Sequence, residues 1–88
     1  MIYPSQIKAA RALIGMNQLE LAELVGVSAA TIKRIEASGN ELRFKVDTML
    51  RIQEALETHG IAFIDADDVG GAGVRLKQPR SRQLRLLV

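Results

Sequence analysis

Eighty-eight residues suffice for one compact domain with a short appendage and are too few for two independent cores. At 48% hydrophobic and 25% charged the chain has the composition of a folded protein, and with no cysteine it excludes a disulfide framework, a thiolate metal site and a nucleophilic thiol. The net charge of +2 hides an asymmetry: residues 1–68 hold seven Lys/Arg against all ten Asp/Glu, whereas residues 69–88 hold five Lys/Arg and no acid.

The N-terminal stretch MIYPSQIKAARALIGM has no unbroken apolar core and no small-residue cleavage site, and no run approaches the roughly eighteen apolar residues of a membrane span. A cytoplasmic protein with no membrane partner is expected. In PSQIKAARALIG, Ile7, Ala10, Leu13 and Ile14 recur at helical spacing with Lys8 and Arg11 off that stripe, and Pro4 suits a first turn. This predicts a first helix over about 4–14.

In NQLELAELVG, Asn17 stands as N-cap with Glu20 three residues on, the reciprocal capping-box pattern, and Gly26 is placed to adopt the left-handed conformation at the end. Leu21, Ala22, Leu24 and Val25 are expected on the buried side of this second helix. Only Val27 separates Gly26 from the next cap, Ser28, so the second and third helices must turn sharply on each other. The third, about 29–37, buries Ile32 and Ile35 and leaves Ala29, Ala30, Lys33 and Arg34 outward, with Thr31 at the boundary. After the loop SGNELRF, KVDTMLRIQEALETHG predicts a fourth helix, packed through Val46, Met49, Leu50, Ile52 and Leu56 and ending at Gly60.

Past Gly60 the period changes. IAFID and GVRLK are short β-type segments around the Asp- and Gly-rich loop ADDVGGA, which predicts a β-hairpin. Two strands alone are marginal in water, so the hairpin must pack on the helices, on another chain, or on both. The last stretch, QPRSRQLRLLV, is basic with an apolar end. The domain reading is residues 1–60 for the helices, 61–77 for the hairpin extension, with a possible role in dimerisation, and 78–88 for the basic tail.

The segment QLELAELVGVSAATIKRIEA, Gln18 to Ala37, resembles the helix-turn-helix of the phage-repressor-like XRE family of bacterial transcription regulators. Small Ala22, Gly26 in the turn, Val25 and Val27 beside it, and Ile32 and Ile35 in the second helix of the motif all fall at the family's spacing, and the similarity extends over about residues 4–60. HGIAFID and GVRL are similar to an extension found in some small members. The resemblance implies a mainly α fold, a four-to-five-helix repressor-like bundle followed by a short C-terminal β-hairpin, whose partner is double-stranded DNA.

By the same resemblance Ser28, Ala29, Ala30, Thr31, Lys33 and Arg34 hold the recognition positions, and Gln18 holds a position that hydrogen-bonds a phosphate. The chemistry of these residues is uneven. Arg34 suits a bidentate contact to guanine, whereas Ala29 and Ala30 offer only thymine-methyl contact or close approach. Ser28, Thr31 and Lys33 suit phosphate as well as base edges, Asn17 can share the role of Gln18, and Arg43 and Lys45 fit further phosphate contacts. Much of the specificity is then expected from DNA shape. A homodimer on a two-fold operator would double so small a contact set.

Two other assignments stay open at this point. One is an antitoxin whose residues 61–88 mask a toxin protein while the helices regulate its operon; the other is a protein-binding adaptor that never meets DNA. No cofactor is expected. His59 sits in the last turn of the fourth helix with no partners for a metal site, Asp65, Asp67 and Asp68 lack the closing Glu of a calcium loop, since Leu76 stands there, and GGAG lacks the Lys-Ser/Thr of a phosphate loop. No nucleophile is paired with a base, so an enzyme is not expected.

Overall fold

A computed structural model describes residues 1–41 and 43–78 of the chain. Four helices, α1 (Pro4–Ile14), α2 (Gln18–Val25), α3 (Ala29–Glu36) and α4 (Val46–Thr58), precede two strands, β1 (Ile61–Ile64) and β2 (Gly73–Leu76). The mainly α bundle with a C-terminal hairpin is therefore present, with four helices among the described residues. Residues 79–88, most of the basic tail, lie outside them.

Local chemistry sets the boundaries of α2 and the start of α3. At the start of α2 the Asn17 side chain accepts from Glu20 N at 2.8 Å and the Glu20 carboxylate accepts from Asn17 N at 3.0 Å, so two otherwise orphaned N–H groups are satisfied together. Ser28 Oγ caps α3 by accepting from Thr31 N at 3.1 Å. Arg51 Nη1, reaching across from α4, donates to Val25 O at 3.0 Å and so takes up one of the carbonyls exposed at the end of α2.

The core is a single cluster. Ile7 and Ala10 of α1, Leu21, Ala22 and Val25 of α2, Ile32 and Ile35 of α3, and Met49, Ile52 and Leu56 of α4 are buried together with Ile2 and Ile61. The expected stripes need correction at three positions. Leu24 and Leu50 are 49% exposed and Val46 is 54% exposed, because each lies on the flank of its helix and not on the arc facing the other helices.

β1 and β2 pair antiparallel in the register Ile61↔Leu76, Ala62↔Arg75, Phe63↔Val74 and Ile64↔Gly73. Alternation places Ile61, Phe63, Val74 and Leu76 on one face, and all four join the core cluster. The hairpin thus packs on its own helices, β1 against α4 and β2 against α1. Gln6 secures it: this buried side chain donates from Nε2 to Gly73 O at 2.9 Å and Ile64 O at 3.3 Å, while its Oε1 accepts from Tyr3 N at 2.7 Å. At the loop, Asp67 accepts from Val69 N and Gly70 N, each at 2.9 Å, and these bonds hold its carboxyl below the usual aspartate range.

Candidate nucleic-acid interface

The angle between α2 and α3 is set by four residues. Gly26 sits at φ 82°, a conformation that an L side chain resists, and both its N–H (2.8 Å) and that of Val27 (3.1 Å) return to Ala22 O, closing α2 in one step. Ser28 opens α3 immediately afterwards. Ala22 is 1% exposed and packed in the core, and its methyl group lets α2 and α3 meet closely.

With Ile32 and Ile35 turned inward, α3 presents Ala30, Lys33 and Arg34 to solvent. No hydrogen bond or ion pair among the described residues engages the side chain of Lys33 or Arg34, so both cations are free to meet a ligand. Ser28 is exposed and Thr31 half-buried, their hydroxyls 3.0 Å apart, so the pair is partly committed to the cap. Ala29 differs from expectation: it is half-buried and packs against the core, which leaves Ala30 as the outward alanine.

Gln18, the first residue of α2, is half-buried, and its Nε2 donates to Glu36 Oε1 at 3.1 Å. Glu36 also takes a two-pronged contact from α1: Arg11 Nη2 reaches Oε1 at 2.6 Å and Arg11 Nε reaches Oε2 at 2.7 Å. The pair is well shielded, with side-chain exposures of 13% for Arg11 and 4% for Glu36, and the hydrogen bonds that Arg11 donates to the Glu36 carboxylate raise the Arg11 pKa. Arg11 Nη1 further donates to Met16 O at 2.9 Å. Asn17, by contrast, spends its side-chain oxygen on the α2 cap.

A short helix fixed across a tight turn from its neighbour, with free cations along its outer face, is the shape that enters a DNA major groove. A family model described as helix-turn-helix matches residues 7–60, more than half the chain, from within α1 to just past α4. The chain belongs to the XRE-type helix-turn-helix family. That family consists of DNA-binding transcription regulators and is not typically enzymatic. No curated protein matches the chain.

The remaining expected contacts of this XRE-type protein lie in the loop before α4. Arg43 and Lys45 are both exposed, and Arg43 Nε is 2.7 Å from Glu41 Oε2 in a pair whose side chains are 79% and 50% exposed. Behind them the loop is anchored. Asn40, at φ 71°, accepts on its Oδ1 from Ser5 N at 2.8 Å and so ties the loop to the start of α1. The structure thus brings Gln18 onto the far end of α3 from Ser28, and keeps Arg43 and Lys45 on a separate, pinned segment.

Sequence reasoning missed Arg11 and Glu36 as parts of this interface, reading Arg11 as off the buried stripe and giving Glu36 no role. A signal was available for both. Arg11 is four residues after Ile7 and Glu36 four after Ile32, so each charged side chain falls on the buried face of its helix, where it needs a partner. Elsewhere, His59 Nδ1 lies 2.9 Å from Ala55 O at the end of α4, and no three His, Cys, Asp or Glu among the described residues gather as a metal site. No helix among them is long and apolar enough to cross a membrane.

Proposed function

We infer that this XRE-type protein is a sequence-specific cytoplasmic repressor that binds as a homodimer to a two-fold operator, each protomer inserting α3 into the major groove. What carries the reading is the outer face of α3, the helix that follows the Gly26 turn, where Lys33 and Arg34 project from the last turn without partners among the described residues. Arg34 reads guanine through its fork of donors, Ala30 allows the helix to approach and can touch a thymine methyl, and Lys33, Ser28 and Thr31 contribute base-edge or phosphate contacts around it. Gln18, Arg43 and Lys45 hold the backbone, and Asn17 supports them through the ordered start of α2.

The dimer follows from the size of this surface. One eight-residue helix with a single forked reader specifies few base pairs, and two copies about one helical turn apart double the contact set.

Selection of binding sites from random DNA with the purified protein tests the assignment. The expected result is a two-fold motif with guanine at one symmetric position of each half-site. Arg34→Ala should lose that preference, worth about 1–3 kcal/mol, while other positions persist. An unchanged motif would remove Arg34 from the readout, and no enrichment at low salt would remove sequence-specific binding altogether.

A further inference from the structure

Gln18 begins α2 at the edge of the proposed DNA surface, and a glutamine amide has two faces, one donating and one accepting. Only the donating face serves a phosphate. Nothing about a solvated glutamine selects between them, and a free side chain would also have to be immobilised on binding.

Glu36 removes both difficulties. An ionised carboxylate can only accept, so the 3.1 Å contact from Gln18 Nε2 fixes which end of the amide faces Glu36 and commits one of its two N–H bonds. The second N–H stays available beside the first-turn N–H groups of α2, which also lack intrahelical partners. Placing a carboxylate this close to a phosphate would normally repel it. Here the charge is balanced: both Glu36 oxygens are taken by the Arg11 fork at 2.6 and 2.7 Å, so the shielded pair is neutral as a unit.

We propose that Glu36 is the positioning residue of the phosphate clamp: it orients the Gln18 amide as a donor, and Arg11 neutralises Glu36 so that the anion can approach. The proposal rests on the reading that Gln18 contacts phosphate, and it assigns to a part-buried pair that joins α1 to α3, and through Gln18 to α2, a part in DNA affinity separate from its part in holding the fold. Neither Arg11 nor Glu36 touches DNA in this scheme.

The test is a mutant cycle on the full-length protein with its selected operator. Gln18→Ala is measured in the wild-type background and again in Arg11→Met/Glu36→Leu, which removes both charges together. Replacing a buried pair by apolar side chains is often close to neutral in stability, so this background stays folded where Glu36→Gln alone, leaving Arg11 unmatched, need not. Circular dichroism and urea midpoints confirm folding, and amide-proton NMR of Gln18 Nε2 reports its restraint in the free protein.

The expected outcome is a loss of about tenfold or more per half-site for Gln18→Ala in the wild type, shrinking to about threefold or less in the apolar background. The two Gln18 Nε2 protons should be well separated in the wild type and collapse toward free-amide positions in the apolar background. A tenfold loss in both backgrounds would leave the phosphate contact standing and overturn the positioning role. No loss in the wild type would mean that Gln18 holds no phosphate, and both the contact and its positioning would fall.

Discussion

Gln6 shows how much can depend on one buried polar side chain. It is 5% exposed, yet its amide meets the main chain at three places: Tyr3 N ahead of α1, and the carbonyls of Ile64 and Gly73 at the end of the ladder nearest the hairpin loop. A buried amide with every contact satisfied stabilises; the same site with an apolar side chain leaves Tyr3 N and two carbonyls short of a partner. Gln6→Met keeps nearly the same length and removes only the polar atoms. It should lower unfolding stability by about 1–3 kcal/mol in urea titrations. Hydrogen exchange in β1 and β2 should quicken more than in α2 and α3, to which Gln6 makes no hydrogen bond; a uniform change across the protein would show that Gln6 does not specifically secure the hairpin.

The elements were largely legible in the sequence because their boundaries are written in local chemistry. Asn17 with Glu20, Ser28, Gly26 and the change of period after Gly60 act on neighbouring residues, and the helices and strands start and stop where those signals say. What was not legible depends on which way a helix faces. α2 has eight residues and carries Leu19, Leu21, Leu24 and Val25, so apolar side chains nearly encircle it, and only packing against α3 and α4 decides that Leu24 is left half outside. Ala29 was misread for a related reason: at the first position of α3 its small side chain is drawn against the core by the tight turn. The tie between Gln18 and Glu36 spans eighteen residues of sequence and two helices, and no local pattern announces it. The turn itself permits a direct test. At φ 82°, Gly26→Val should cost at least about 1–2 kcal/mol, since a Cβ in the left-handed region is strained and β-branching worsens it. The added Cβ would meet nothing closer than Arg51 Nη1 at 3.8 Å, so the penalty is one of backbone conformation and not of crowding. Gly26→Ala should therefore recover part of the loss; equal thermal stability of glycine and valine variants would contradict the turn geometry.

At the scale of the whole molecule, charge has to be local, because residues 1–68 carry net negative charge and must still approach a polyanion. Arg43 is the most informative cation for this purpose. Its partner Glu41 holds it in a pair that is mostly in water, and pairs of that kind contribute about 0–1 kcal/mol, so a phosphate can replace the carboxylate at little cost. Each phosphate neutralised adds about 0.9 to the magnitude of the slope of log K against log salt concentration. A two-fold complex contains every contact twice. Arg43→Gln should then reduce the slope by about 1.8 if the protein binds as a homodimer, and by about 0.9 if a single protomer occupies the site. Because Arg43 is exposed and lies outside α3, on the loop before α4, the selected motif should be unchanged, which separates backbone holding from base reading. Titrations of the operator at several salt concentrations decide it: an unaltered slope would take Arg43 off the DNA, and a change near 0.9 would replace the dimer with a monomeric complex.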